Sequence, residues 1–547
     1  MDERLDLARQ AIRSRDYYSA FPESPSPKVY GETAAADGKA AFQGHLGSSF
    51  ALSVPGARGE VSTERSPYGI ELDIAYPRVV AAGIDELATA ALAGVKAWRD
   101  AGPDRRAAVC LAILDGLHAR VFELAWAVQH TSGQAFVMAF QAGGTHALDR
   151  ALEAVAYSIE AMTFHPTQAT WTKPGRSGAT VLDKTFTVVP RGVGLVIACN
   201  TFPTWNSYPG LAASLVTGNP VIVKPHPAAV LPLAITVQVA QQVLAANGFD
   251  PHLVTLAAER DGDRLAQDLA VDPRMKIIDF TGGTEFGEWL EHNAPQAVVF
   301  AEKAGVNAIV LDSCDDYLGM CDNLAFTLSL YSGQMCTASQ NIFVPSAGIE
   351  TDQGHRSPVE IATSIGGAIE RLLGEDRRAV ELLGALVSPA VATRLERARD
   401  WGEVLVDSRA IAHPDFPDAV VRTPLVVGID ANSSVYQSEC FGPVSFLIST
   451  ASTGDSLTQF GRTAAEHGAM TAGIYSTSAE VMDTAREIAL QTGVALSENL
   501  VGPVYVNQSA AFSDFHGSGA NPAANASYTD LAYVTSRFHV VQSRRPA

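Results

Sequence analysis

Between residues 193 and 301 the chain alternates short apolar runs with helical stretches, and few folds accommodate that regularity. Val193–Cys199, Pro220–Lys224, Leu253–Ala257, Lys276–Phe280 and Val298–Ala301 read as buried strands. Tyr208–Thr217, Ala234–Ala246, Asp263–Ala270 and Glu285–Asn293 read as the helices between them. Strands and helices in turn predict a parallel, doubly wound α/β sheet that binds ligands at the carboxyl ends of its strands. No G-x-G-x-x-G stands at any of those ends, so an ordinary dinucleotide fingerprint is missing.

A second α/β unit begins at Ala308–Leu311 and resumes at Asn341–Val344. It continues through a helix at Ser357–Leu373, strands near Val404 and Val426, and Val444–Ile448. Upstream, helices are expected from Asp85, from Asp104 (with Val109, Ile113, Leu117 and Val121 at four-residue intervals) and over Ala147–Met162. Thr170–Thr172 and Thr185–Val189 form a hairpin around Lys173–Arg176, exposed enough to need a partner strand and to suggest a subunit interface. Residues 1–78 carry Pro22, Pro25, Pro27 and a small-residue run from Gly31 to Gly47, and read as an extended, wrapping segment without a helix of its own. Near the carboxyl end, Val504–Asn507 and Arg537–Val541 read as strands flanking a Gly/Ala/Asn-rich loop, His516–Ser527.

Composition narrows the function classes. A net charge of −20 and a pI of about 5.0, with no basic cluster beyond Arg544-Arg545, argue against nucleic acid as a partner. No apolar run reaches the ~18–20 residues of a membrane span, and Met1-Asp2-Glu3-Arg4 does not open a signal peptide. The six cysteines are scattered, with no His partners at zinc-site spacing, so no metal is expected and a reducing cytoplasm is the simplest location.

Chemistry concentrates at a few strand ends. Tyr331-Ser332-Gly333-Gln334-Met335-Cys336-Thr337-Ala338 places one thiol in a small, polar segment that leaves it room to react. Glu302 follows a buried strand 34 positions earlier (336 − 302), so thiol and carboxylate can serve as nucleophile and base. Phe280-Thr281-Gly282-Gly283-Thr284 turns from a strand into a helix whose free amides suit a phosphate. Lys224 ends a strand before Pro225, and Glu439 and Phe441 share a loop. Taken singly, each has a bland structural explanation: a core cysteine, a surface carboxylate, an ordinary βα turn.

Their order resembles the aldehyde dehydrogenase superfamily over about residues 80–510. Phe280-Thr281-Gly282-Gly283-Thr284-x-x-Gly287 is similar to the F-T-G-[ST] signature, and Glu302-x-x-Gly305-x-Asn307 to E-L-G-G-x-[SN]. Gly333-Gln334-x-Cys336 is similar to G-Q-x-C, Ser438–Val444 to E-x-F-G-P-V, and Thr217–Lys224 to T-G-N-x-V-V-x-K. Ala198–Asn206, Lys224–Pro227 and Gly333–Val344 further resemble the phenylacetic acid degradation branch, without its fused hydratase domain.

The resemblance implies an α/β fold of two doubly wound parallel-sheet domains plus a β-hairpin oligomerisation arm. The NAD(P)-binding domain would span 79–165 and 191–301, the arm 166–190 and 525–547, and the catalytic domain 302–500. Residues 501–524 would form the substrate-mouth loop and return segment. It also implies NAD(P)-dependent oxidation of an aldehyde to an acid by a homodimer or homotetramer. Cys336 is then the nucleophile, Glu302 the base for the hydrolytic water, and Asn200 the oxyanion donor. Lys224, His226, Thr281, Gly282, Gly283, Phe286, Glu439 and Phe441 would bind the cofactor.

Several departures bear on specificity. Asn200-Thr201-Phe202-Pro203 has one residue more than the family's N-F-P, so an ungapped count puts Thr201 at the oxyanion position, although the amide of Asn200 is the better donor. Asn341 stands where many members carry arginine. The family's P-F-G-G-x-K is replaced by Asp514-Phe515-His516-Gly517-Ser518-Gly519-Ala520-Asn521, which points to an unusual substrate such as a coenzyme A-linked semialdehyde. Pro227 replaces the glutamate with which NAD-preferring members repel a 2′-phosphate, which tilts the expectation toward NADP. A catalytically silent binding subunit and a non-redox thioester hydrolase on the same cysteine are the competing readings.

Overall fold

The computed structural model describes residues 2–505 and 509–547. The expected strand Val504–Asn507 lies partly outside the described residues. Five parallel strands form the first sheet, in the order Val254–Leu256, Val221–Lys224, Val193–Ile197, Met275–Thr281, Val298–Glu302. Val193–Ile197 and Val221–Lys224 are buried at every position, as runs rich in Val and Ile must be when helices cover both faces. The strand order reverses between Val193–Ile197 and Met275–Thr281, which opens a crevice at their carboxyl ends.

The second sheet has seven strands: Glu403–Val406, Leu425–Asp430, Val444–Thr450, Asn341–Pro345, Ala308–Leu311, Thr471–Tyr475 and Ala495–Glu498. All neighbours are parallel except the edge strand Glu403–Val406, which runs antiparallel to Leu425–Asp430. Only residues 303–307 separate the last strand of the first sheet from Ala308–Leu311, the first strand of the second in chain order. A third, three-stranded sheet supplies the hairpin with a partner from its own chain. Phe538–Pro546 pairs antiparallel with Thr180–Pro190, whose other edge holds Gln168–Lys173.

The amino-terminal region corrects one expectation, because it contains helices. Glu3–Ser14 is capped by Asp2, whose carboxylate accepts from the Arg4 amide, and it buries Leu5, Ala8, Ala11 and Ile12. Ala34–Gln43 packs so closely on the helix Val121–Ser132 that a Cβ at Gly38 would lie 2.3 Å from Phe122 Cβ. The small residues that suggested a loop are there to let two helices approach. The four-residue apolar spacing from Asp104 likewise spans two helices, Gly102–His118 and Val121–Ser132.

Residues 525–537 are the second correction, since they pack on the first sheet and only Phe538–Pro546 joins the arm. Asp279, inside the strand Met275–Thr281, accepts from Arg537 Nη1 at 2.9 Å and from the Tyr533 hydroxyl at 2.7 Å. Arg537 also donates to Ser214 Oγ at 2.7 Å, and its guanidinium lies 4.7 Å from the Phe300 ring centre. Asp279→Ala leaves this fully buried cation unpaired and is expected to cost about 3–5 kcal/mol of unfolding free energy. Urea denaturation of the variant measures that loss.

Candidate active site

Cys336 sits on the loop that leaves the helix Tyr317–Ser329, and the loop begins with three consecutive left-handed residues. Tyr331 (φ 49°), Ser332 (φ 51°) and Gly333 (φ 63°) turn the chain sharply, and only the third is a glycine. A Cβ at Gly333 would meet the Gly442 carbonyl at 2.5 Å. The two strained non-glycine residues are tied down by hydrogen bonds. The Tyr331 hydroxyl donates to the Ser132 carbonyl, and Ser332 Oγ to the Leu383 carbonyl at 3.1 Å. Gln334 braces the turn, accepting from the Val387 amide at 2.8 Å while donating to the Ala385 carbonyl at 3.1 Å.

Asn307 then fixes the thiol's own backbone. Its amide nitrogen donates to the carbonyls of Cys336 (2.8 Å) and Ala338 (3.1 Å), and its oxygen accepts from the amides of Met470 and Thr471. One side chain therefore joins the nucleophile loop to the strand Thr471–Tyr475. The asparagine of the E-x-x-G-x-N pattern is thus a structural clamp.

Glu302 is the last residue of the first sheet and is 1% exposed. Asn206 Nδ2 donates to its Oε2 at 3.0 Å, and His516 Nε2 lies 3.1 Å from its Oε1. Burial pushes this carboxyl up, but the facing His516 and hydrogen bonds from His516, Cys336 and Asn206 bring it below the ordinary glutamate value. Burial and the neighbouring Glu302 carboxylate hold the Cys336 thiol well above its usual value. His516 Nε2 also lies 3.8 Å from Cys336 Sγ. The ligand atoms of Glu302, Cys336 and His516 fall within 4.8 Å of one another, a spacing compatible with an ion, although the sequence suggested no metal cluster.

The thiol opens onto a cavity of about 530 Å³, walled by Met138, Phe202, Trp205, Phe326 and Met335. Tyr17, Tyr18 and Glu23 of the amino-terminal region and Ser509–Ala511 of the carboxyl-terminal region also line it. Asn200, expected at the oxyanion, is turned elsewhere: its amide donates to the Thr131 carbonyl at 3.3 Å, and it does not line this cavity. Asn206 does line it, as the fourth residue of a helix that starts at Pro203 with the backbone geometry fixed by that proline. It was legible in the quoted Asn200–Asn206 run but lacked a reason to be chosen. His516 was legible only as part of a departing loop.

The cofactor candidates stand around the crevice of the first sheet. Lys224 ends the strand Val221–Lys224, and Thr281 ends Met275–Thr281 directly beside Glu302. Gly282 donates its amide to the Glu302 carbonyl at 3.0 Å. Gly283 caps the helix Thr284–Asn293 without a side-chain hydrogen bond, and no atom lies within 4 Å of where its Cβ would be. Bare amides and open space at a helix start fit the phosphates of a dinucleotide. Phe286, by contrast, is occupied inside the protein, stacked on Trp289 at 5.6 Å and edge-on to Phe280. His226 is exposed, although partial desolvation and the Lys224 cation lower its pKa.

Lys224 is ion-paired with the buried Glu259, which also accepts from the Leu265 amide at 3.0 Å. The carboxylate missing at Pro227 is thus supplied from the neighbouring strand end, which removes the ground for expecting NADP. Across the crevice, Glu439 is pushed up to about 7 by burial despite the Arg394 cation. The Phe441 carbonyl accepts from Arg394, so this loop is anchored beside the Cys336 turn.

A sequence model described as the aldehyde dehydrogenase family matches residues 57–529. Among solved structures, an NAD-dependent aldehyde dehydrogenase from Burkholderia multivorans is 55% identical with a TM-score of 0.97, over 100% of this chain and 98% of that one. A 1-pyrroline-5-carboxylate dehydrogenase from Thermus with bound NAD shares the fold at a TM-score of 0.75 and 19% identity, over 97% and 99% of the two chains. Vanillin dehydrogenase from Pseudomonas fluorescens is 25% identical over 504 residues, 88% of this chain and 96% of that protein. A putative aldehyde dehydrogenase family 7 member A1 homolog from Caenorhabditis elegans is 26% identical over 271 residues. That match spans 47% of this chain and about half (48%) of the relative's length.

Asn206 offers a test of the site's electrostatics. Because the folded protein holds Glu302 below its unfolded pKa, the carboxylate contributes stability above the unfolded value, and loses it as pH falls through the folded one. Asn206→Ala removes one donor to the anion, so the variant is expected to lose about 1.5 kcal/mol at pH 7. The gap to wild type should close as the pH is lowered through the carboxylate range. Urea unfolding at several pH values measures both effects.

Proposed function

The chain belongs to the aldehyde dehydrogenase family, and from that membership we propose that it oxidises a free, aromatic or otherwise apolar aldehyde to its carboxylic acid with NAD. One observation carries the reading: Cys336, which lines an aromatic-walled cavity, is in contact with the buried Glu302 at the end of the first sheet. Cys336 Sγ adds to the aldehyde carbon to give a thiohemiacetal, which becomes a thioester on loss of hydride. Bound NAD(P) would supply the hydride acceptor, held by Lys224, Thr281 and the bare amides at the helix start after Gly283. Glu302 then takes a proton from water, and the hydroxide adds to the thioester carbon and releases the acid.

The wording of Ala198–Asn206 and Lys224–Pro227 supports a semialdehyde of aromatic-acid breakdown, as in the phenylacetic acid branch. Glu23 and Asp149 line the cavity, so a polyanionic coenzyme A carrier is disfavoured and the free aldehyde is the proposed form. We further propose a cytoplasmic homo-oligomer. Every residue of the edge strand Gln168–Lys173 is exposed, and an unpaired edge invites a second copy. Among the described residues, no helix is long and apolar enough to cross a membrane.

Cys336→Ala is expected to abolish cofactor reduction with a panel of aromatic and aliphatic aldehydes. Glu302→Gln is expected to trap a thioester visible by mass spectrometry of the intact chain. Full turnover by Cys336→Ala would overturn this mechanism, an unreactive Cys336 with no cofactor binding would favour the silent reading, and acid formation without any cofactor the hydrolytic one. Glu259→Gln frees Lys224 from its carboxylate and is expected to lower the NAD:NADP ratio of kcat/KM by about tenfold, the size of one like-charge repulsion near a surface.

A further inference from the structure

Three side chains of different chemistry converge at the end of the first sheet. The sulfur of Cys336, a ring nitrogen of His516 and a carboxylate oxygen of Glu302 all lie within 4.8 Å of one another. His516 Nε2 stands 3.8 Å from Cys336 Sγ and 3.1 Å from Glu302 Oε1. Tetrahedral zinc binds sulfur at about 2.3 Å and nitrogen or oxygen at about 2.0–2.2 Å. Those bonds put S and N about 3.6 Å apart, and N and O about 3.4 Å apart. The spacings in this chain agree to within about 0.3 Å.

We propose that Cys336, His516 and Glu302 form a zinc-binding site, in which one ion reversibly blocks the nucleophile and the base together. A thiolate, an imidazole and a carboxylate suit zinc, whereas magnesium and calcium take oxygen ligands. The divalent charge also offsets two anions that otherwise face each other in one pocket. The thiol and the carboxylate stand in segments that resemble the family signatures. His516 comes from Asp514–Asn521, the loop that departs from the family pattern, so the third ligand is this chain's own addition.

The surrounding groups orient the ligands as a metal site requires. Asn206 Nδ2 donates to Glu302 Oε2 at 3.0 Å, which leaves Oε1 for the ion. Asn307 ties down the Cys336 carbonyl at 2.8 Å. Trp205 packs edge-on against the His516 ring at 4.7 Å, and backbone hydrogen bonds to and from Tyr528 fix that residue's place. Without metal, His516 Nε2–H donates to the Glu302 carboxylate. Zinc takes the place of that proton. The neutral ring then carries its hydrogen on Nδ1, 3.2 Å from Ser509 Oγ, and turns the Nε2 lone pair to the ion. Sγ exchanges its proton for a bond to zinc, and that proton passes to water through the cavity that Cys336 and His516 line. One proton therefore leaves for each zinc bound. The same cavity is the ion's entry path and supplies a water to its fourth position.

Binding is independent of the proposed dehydrogenase reaction, while inhibition rests on Cys336 and Glu302 acting as that reading has them. Zinc chloride is titrated calorimetrically into the full-length protein, with neither aldehyde nor cofactor, in two buffers of different protonation enthalpy. One zinc per chain and one released proton are expected, with no binding of magnesium or calcium. His516→Gln, which keeps a donor toward Glu302 but offers no ring nitrogen, is expected to weaken zinc at least about a hundredfold, and Ser509→Ala about tenfold. Wild type alkylated at Cys336 by iodoacetamide is expected to lose the site, and this measurement serves alone if the glutamine variant does not fold. Absence of stoichiometric zinc would overturn the assignment, as would an affinity unchanged by His516→Gln or by the alkylation. Aldehyde oxidation is expected to stop with one zinc bound and to return with EDTA; turnover that continues in the zinc-loaded protein would overturn the inhibitory role alone.

Discussion

A thiol and a carboxylate that share one dry pocket repel as anions, and every other feature of this active site answers that constraint. Both groups must ionise during turnover, yet burial and mutual repulsion push the thiol well above its ordinary value. The protein keeps the carboxylate ionised instead, with donors from Asn206 and His516. The cost falls on Cys336, which is why its loop is built so rigidly. Two left-handed non-glycine residues, the Gln334 brace and the Asn307 clamp leave Sγ few positions. A reactive group whose ionisation is unfavourable gains most from being held in place.

Glu302 is fixed with equal care, from the opposite direction. The Lys303 amide donates to the Ala523 carbonyl at 2.6 Å, and Asn525 Oδ1 accepts from the Ala301 amide at 2.8 Å. The segment 521–526 therefore closes over the strand end that carries the base. Its small residues are required there: a Cβ at Gly468 would lie 2.2 Å from the Ala523 nitrogen, and one at Gly305 would lie 3.1 Å from Ala523 Cβ. What reads in sequence as a loose Gly/Ala/Asn-rich loop is a tightly seated cover.

That contrast explains which parts of the molecule were legible beforehand. The two sheets and their helices were, because Val193–Ile197 or Ala308–Leu311 announce burial through unbroken apolar runs that local periodicity detects. Cys336 and Glu302 were, because short signatures surround them at a fixed interval. Residues 1–78 and 516–526 were misread or left blank for one reason. Gly38 and Gly468 are small because of partners 84 and 55 residues away (Phe122, Ala523), and composition cannot distinguish close packing from a turn. Asn200 failed differently: it was preferred over Thr201 for its donor amide, and that amide is committed to the Thr131 carbonyl.

The same long-range ties join the substrate mouth to the residues around Cys336. The buried Arg150 and Glu153, one turn apart on the helix His146–Thr163, pair with each other and grip the carboxyl-terminal loop. Arg150 donates to the Ser509 carbonyl at 2.9 Å, and Glu153 accepts from the Phe512 amide at 3.1 Å. The amino-terminal region holds the loop's far side, with Arg15 donating to the Ser513 carbonyl and lying 4.0 Å from the Phe515 ring centre. Ser509 thus carries two contacts within one residue: its carbonyl answers the helix, and its hydroxyl stands 3.2 Å from His516 Nδ1. The next two residues, Ala510 and Ala511, line the cavity. A substrate that displaces this wall therefore moves the hydroxyl that orients the ring beside Cys336. Substrate fit and the surroundings of Cys336 are thus coupled through a single loop.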